Sequence, residues 1–211
     1  MHLTIIAKTP EPGRVKTRLC PPCTAKQAAE IAAAALADTV DAIDATVGVS
    51  PWVGLVRRVL LLDGRADEWI PDGYDVVTQR GDGLAERLAN GFADLGPGVV
   101  VGMDTPVAGR WLGEALRTVA AGCDAIGLAS DGGFWVIGLA TIDPQVFERI
   151  PMGESHTGLA QLRRLHRLCR PVRMLPMTRD LDDVNDLRDH ARSDEPGRLA
   201  TVARSVVDRL G

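Results

Sequence analysis

Four cations, Lys8, Arg14, Lys16 and Arg18, fall within the stretch AKTPEPGRVKTRL at residues 7–19, which also holds Pro10, Pro12 and Gly13. The whole chain is acidic, with 24 Lys and Arg against 28 Asp and Glu and a formal charge of −4. Positive charge is therefore concentrated locally. Arginine is a rigid two-pronged donor and lysine a compact point charge, and phosphate oxygens suit both. The prolines and the glycine shape a backbone on which Lys8, Pro12, Gly13, Arg14, Lys16 and Arg18 could converge on an anion. The stretch has neither the GxxxxGK[ST] spacing of a P-loop nor the GxGxxG of a dinucleotide fold. By itself it reads equally as a solvated charged loop.

The carboxylates that could complement such a site stand further along. Asp104, in Gly102-Met-Asp-Thr-Pro106, follows the apolar run GVVVG. It is a hard oxygen ligand suited to Mg²⁺ or Mn²⁺ on phosphate oxygens, or else a turn or helix cap. In Arg179-Asp-Leu-Asp-Asp-Val-Asn-Asp186, an extended backbone points Asp180 and Asp182 to one side. Two such carboxylates repel unless a cation lies between them, or else they serve as helix caps. Asp183 and Asp186 read as helix-start residues facing the amino-terminal dipole.

Three further stretches are candidates. Gln79 and Arg80 lie at a strand end and could read a base or sugar, with Asp82 as a helix cap. Asp131-Gly132-Gly133 permits close backbone approach to an acceptor, or forms a plain turn. Ser155, His156 and Thr157 open a helix whose amides and hydroxyls could hold an anion, or His156 is simply exposed; Asp131 and His156 are the only candidates for a base. Cys20-Pro-Pro-Cys23 is a lone CxxC and reads as two small apolar residues around prolines rather than a metal or redox pair. There is no nucleophile elbow, HExxH or Ser-His-Asp arrangement.

The elements that must carry these residues alternate regularly. Strands are expected at Leu3–Ala7, Val56–Leu62, Asp75–Thr78, Gly98–Gly102, Asp124–Ala129, Gly133–Leu139 and Val172–Leu175. Thr24-Ala-Lys-Gln27 has capping-box form. It opens an Ala-rich helix with an apolar stripe at Ile31, Ala35, Val40, Ile43 and Val47. Further helices are expected over Leu84–Leu95, Trp111–Ala121 and His156–Leu168, from an Asp183 cap to Arg192, and from Pro196 to Leu210. This βα alternation predicts a three-layer α/β/α arrangement around a mostly parallel sheet. One junction breaks the pattern. Asp131-Gly-Gly133 is too short for a parallel crossover, which takes about a dozen residues, so the strand after it either pairs antiparallel with a neighbour or leaves the neighbouring strand's line, and a mixed sheet is expected. In an open sheet of this kind, ligands bind beyond the carboxyl ends of the strands.

At 211 residues the chain is expected to form a single domain over 1–211. The acidic balance argues against a nucleic-acid partner. No apolar run reaches the ~20 residues of a membrane span. The short apolar run after Met1 is no signal peptide, and four cysteines in a chain of this size suit reduced thiols in the cytoplasm.

Taken together and in order, AKTPEPGRVKTRL, GMDTP, SDGGFWVIGL and DLDDVNDL resemble the bacterial glycosyltransferase-A-like family related to phospholactate and phosphoenolpyruvate guanylyltransferases. QRGDGLAERL and PMGESHTG resemble its actinobacterial branch. The resemblance implies the nucleotide-diphospho-sugar transferase fold, which is Rossmann-like and of GT-A type. It implies Lys16 and Arg18 as the basic pair of the first loop. It also implies Asp104 as the metal-binding aspartate, and Asp180 and Asp182 as the late aspartate pair. Leu128 and Met152 depart from the proline and tryptophan common in relatives, so the acceptor does not carry over. Three functions follow as expectations. The first is a Mg²⁺- or Mn²⁺-dependent nucleotidyltransferase, with Lys16, Arg18 and Asp104 catalytic, moving NMP from an NTP to a small anionic acceptor. The second is a glycosyltransferase using a nucleotide-sugar. The third is a nucleotide-binding protein without catalysis.

Overall fold

The structure is a computed structural model and describes residues 1–49, 52–67, 69–105, 109–179, 181–193 and 197–210. Seven strands form one sheet: β1 (His2–Lys8), β2 (Arg57–Asp63), β3 (Asp75–Thr78), β4 (Gly98–Gly102), β5 (Asp124–Ala129), β6 (Phe134–Leu139) and β7 (Val172–Thr178). Their spatial order is β3-β2-β1-β4-β6-β5-β7. β6 runs antiparallel to both β4 and β5, and every other pairing is parallel. The reversal expected from the short Asp131–Gly133 connection is thus the one irregularity in the sheet's direction.

Alternation along the strands divides the core into two layers. Leu3, Ile5, Leu60, Leu62, Val99 and Val101 pack under α1 (Ala25–Val47) and α3 (Gly109–Ala120). Val100, Ile137 and Leu139 face α2 (Leu84–Leu95) and α4 (Thr157–Arg167) on the other side. α5 (Val184–Arg192) and α6 (Arg198–Leu210) then pack on the outer face of α1 through Leu187, Leu199, Ala203 and Val206.

The helix starts follow their sequence signals in two cases and not in a third. The Thr24–Gln27 capping box forms, and its stripe from Ile31 to Val47 is buried. Asp183 caps α5 by accepting the Asn185 and Asp186 amides. Asp82 does not cap α2. Gly83 takes the cap position without a side-chain bond, and Glu86 reaches back to the Asp82 amide. The terminal strand also runs further than expected, through Pro176 to Thr178. Proline cannot donate to a ladder, but β7 is an edge strand and needs no second partner. Pro196, expected to open the last helix, lies outside the described residues.

His2 illustrates how firmly β1 is seated. It is buried, with Nδ1 2.7 Å from the Thr4 hydroxyl and Nε2 3.0 Å from the Gly96 carbonyl. Burial pushes its pKa down to about 4. Between pH 6.5 and 4 the unfolded chain takes up a proton here that the folded chain refuses, so stability falls as the pH drops through that window. The loss from this group is expected to reach about 3 kcal/mol near pH 4. Urea unfolding at pH 7 and 4.5 should show a shallower pH dependence for His2→Gln than for wild type. Equal slopes would exclude His2 as the source.

Candidate active site

Because β1, β2, β3, β4, β5 and β7 are all parallel to one another in direction, their carboxyl ends share one edge of the sheet. The loop after β1, Asp63, Gln79, Asp104 and Asp182 therefore meet there although they are distant in sequence. The loop, Gln79, Asp104 and Asp182 border a cleft of about 650 Å³, and Asp63 pairs with Arg14 and Arg87 of its lining. Its described lining holds five cations, Lys8, Arg14, Lys16, Arg18 and Arg87, against two carboxylates, Asp104 and Asp182. An acidic chain has thus built a cationic cleft.

The first loop is a folded device. After Thr9, the Glu11–Arg14 segment closes a turn in which the Arg14 amide donates to the Glu11 carbonyl. Pro12 and Gly13 occupy its middle, with Gly13 at φ +82°, a positive φ that glycine adopts at little cost. Both are exposed and neither lines the cleft; their role is to return the chain so that Arg14 and Lys16 reach it. Lys16 has a left-handed backbone (φ 48°, ψ 38°) just before a 3₁₀ turn over Thr17–Leu19. A non-glycine residue there is strained by about 1 kcal/mol or more, an outlier of the kind that clusters at working sites.

Lys16 is the centre of the site. Its ammonium lies 2.5 Å from Asp104 Oδ2 and 3.9 Å from Asp182 Oδ1, and it also donates to the Leu181 carbonyl. Its side chain is only 8% exposed. Arg18 NH1 holds the other oxygen of Asp182 at 2.9 Å. The segment carrying Asp182 is fixed from behind. Leu181 is buried against α1 and α6, and the Asp182 and Asp183 amides both donate to Asp186. Burial pushes the Asp186 carboxyl up, but those two amides and Arg179 outweigh it and hold it below the usual range. Asp104 is fixed likewise, since the Met103 carbonyl accepts from Thr39 of α1 and the Met103 sulfur from the Lys8 amide.

A second network closes the β2–β3 side of the cleft. Asp63 pairs with Arg87 at 2.6 Å and with Arg14 at 3.5 Å. The hydrogen bond from Arg87 is the main cause that lowers the Asp63 pKa. Arg87 also reaches Gln79 Oε1, while Gln79 Nε2 donates to the Ala7 and Leu61 carbonyls. Gln79 thus lines the cleft with its amide already occupied by the sheet. Arg80 is not in the described lining; one of its nitrogens bonds both oxygens of Asp94. Arg87 lies in the QRGDGLAERL stretch without being a candidate there; a cation in the opening turns of a helix runs against the dipole, and that is the signal that could have singled it out.

Asp131, Gly132, Gly133, Ser155, His156 and Thr157 are brought together, but beside the cleft rather than in its described lining. The Gly158 amide donates to the Gly132 carbonyl, and a Cβ on Gly132 (φ +92°) would run into the Ser155 backbone. Asp131 accepts the Gly133 amide, and the Thr157 hydroxyl is engaged with Pro151 and Glu154. The cluster connects to the cleft through Phe134, which lines it. Asp180 lies outside the described residues.

The oxygens around Lys16 suit a divalent metal. Two carboxylates and a backbone carbonyl already converge on one cation, which is the hard-oxygen chemistry that Mg²⁺ and Mn²⁺ take, with water completing the shell. Among the described residues no group of three or more His, Cys, Asp or Glu side chains converges; the described oxygens available to such an ion are those of Asp104, Asp182 and Leu181. The four cysteines are free thiols.

The mixed sheet, with its reversed β6 and the cleft at its carboxyl edge, is a three-layer α/β/α fold of the kind seen in nucleotide-diphospho-sugar transferases. Residues 31–154 match the family described as uncharacterized protein conserved in bacteria (DUF2064), and the chain belongs to that family. A candidate nucleotide-diphospho-sugar transferase of Desulfovibrio desulfuricans G20 has a similar structure, with 26% identity and a TM-score of 0.81 over 99% of this chain and 95% of its own. The Rv0371c protein of Mycobacterium tuberculosis H37Rv is similar in fold, at 21% identity, TM-score 0.51 and coverage of 92% and 98%. Its manganese complex gives 23% identity, TM-score 0.50 and coverage of 89% and 95%. None of the curated proteins matches the chain. Among the described residues no helix is long and apolar enough to cross a membrane.

Proposed function

We propose that this protein is a divalent-metal-dependent nucleotidyltransferase that moves an NMP group from an NTP to a small anionic acceptor. The observation that carries the reading is the cleft's charge pattern, in which Arg14, Lys16 and Arg18 face Asp104 and Asp182 across one edge of the sheet. The arginines would hold phosphate oxygens through paired donors. Asp104, Asp182 and Leu181 would hold a metal, which when bound neutralises phosphate charge as it develops. Lys16 would neutralise phosphate charge beside it, and the backbone of the first loop keeps these groups placed before substrate arrives. Catalysis is then positioning and charge stabilisation. An acceptor that is already ionised needs no strong base, and among the described residues lining the cleft there is no histidine and no carboxylate besides Asp104 and Asp182.

Glycosyl transfer is the second reading, favoured by the similarity to the Desulfovibrio protein. Incubation with Mg²⁺, each of the four NTPs and a panel of phosphorylated and carboxylated acceptors separates the two. Pyrophosphate release with at least one pair is expected. Turnover of a nucleotide-sugar with no pyrophosphate from any NTP would move the assignment to glycosyl transfer. Nucleotide binding without either reaction would leave a non-catalytic nucleotide-binding protein.

A further inference from the structure

We infer that Lys16 is a built-in substitute for the metal: its ammonium and the divalent cation are alternative occupants of the same oxygens, and metal can enter only as Lys16 leaves. The inference rests on the metal reading above. Asp104 Oδ2, Asp182 Oδ1 and the Leu181 carbonyl all surround Lys16 Nζ. These are the oxygens a metal would use, and a divalent ion cannot share them with an ammonium at such distances without strong like-charge repulsion. In the metal-free protein the arrangement has a clear purpose. Two facing carboxylates would otherwise repel, and Lys16 supplies the cation between them.

A displaced Lys16 has somewhere to go. Its side chain borders the same cleft as Arg14, Arg18 and Lys8, where a polyphosphate would offer it new anionic partners. Metal entry frees Lys16 for the phosphates, and phosphates that draw Lys16 away clear the oxygens for metal. Binding of the two is therefore mutually favourable, and that coupling is reciprocal. The contacts of the Lys16 ammonium to Asp104, Asp182 and the Leu181 carbonyl must be given up for metal to enter, so the site resists loading with metal alone.

The test is a Mn²⁺ titration without nucleotide or phosphate, following the paramagnetic resonance signal of free Mn²⁺. Lys16→Met should bind Mn²⁺ roughly tenfold or more tighter than wild type, because the competing charge is gone. Adding Asp104→Asn to that variant should undo the gain. If Lys16→Met binds no more tightly while Asp104→Asn still abolishes binding, the substitution inference is overturned and the metal reading stands. If neither wild type nor Lys16→Met binds Mn²⁺ at millimolar concentration, the metal reading falls and this inference with it. A second measurement needs no variant. The chain has three lysines, Lys8, Lys16 and Lys26, and Lys26 is exposed on α1. With an amine-labelling reagent read by mass spectrometry, Lys16 should label more slowly than Lys26 without metal and several-fold faster once Mn²⁺ is saturating. Saturation with Lys16 still protected would overturn the inference.

Discussion

Asp104→Asn is expected to lower metal-dependent turnover by about 10²–10³-fold, the scale seen when one preorganised electrostatic partner of a transition state is removed. Asparagine has nearly the same shape and can still accept a hydrogen bond from Lys16, so the fold should be unaffected. What it loses is the charge. Asp104 stands at the end of β4, next to β1 in the sheet, and its Oδ2 is the nearer carboxylate contact of Lys16. Without its charge the oxygens no longer balance a divalent ion, and only Asp182 remains charged among the described carboxylates of the cleft. Steady-state rates with Mg²⁺, together with nucleotide binding measured with Mg²⁺ and with a chelator, check the prediction. Metal-dependent nucleotide binding that survives unaltered in Asp104→Asn would remove Asp104 from the metal site.

The largest effect on stability is expected far from the cleft. Asp124, at the first position of β5, has a side chain 2% exposed, and its partner Arg170 is 10% exposed. Arg170 donates to both oxygens of Asp124 through Nε and NH2, and the Ala140 amide adds a bond at 2.9 Å. Arg170 also holds the Thr141 carbonyl at 2.6 Å. The cluster ties the start of β5 to the end of β6 and the approach to β7. Asp124→Ala strands a buried guanidinium and an amide, and breaking one side of such a pair costs about 3–5 kcal/mol. Urea unfolding at pH 7 should show that loss, and the double variant Asp124→Ala/Arg170→Met should recover a large part of it, since the penalty lies mostly in the uncompensated charge. A loss below about 1 kcal/mol would mean that water reaches Arg170 in the variant.

Local features were the legible ones. The Thr24–Gln27 box, the Asp183 cap and the reversal after Asp131-Gly-Gly133 each rest on a few neighbouring residues, and each forms as the sequence implies. The cationic loop was legible as a candidate, and its position after the first strand predicted the edge at which it lies. What stayed hidden depends on strand order. Asp63, Gln79 and Arg87 become one network only because β1, β2 and β3 lie side by side. Gln79 looked free to read a base until the sheet placed two carbonyls against its amide. Arg80, one residue on, is taken by Asp94 of α2, a pairing with no motif. The continuation of β7 through Pro176 depends on its being an edge strand, which no window of its own residues can show. Gly83 in place of Asp82 as the α2 cap is a shift of one residue, within the usual latitude of helix ends.

The central claim is that the cleft between the first loop, Asp104 and Asp182 is a shared site for metal and nucleotide phosphates. A crystal structure of the protein soaked with Mn²⁺ and an NTP tests it most directly, because manganese is located by its anomalous signal. An anomalous peak bound by Asp104 and Asp182 is expected, with the phosphates against Arg14 and Arg18 and the Lys16 ammonium moved from its carboxylates to them. A manganese peak bound elsewhere, or a triphosphate seated away from these residues, would contradict it.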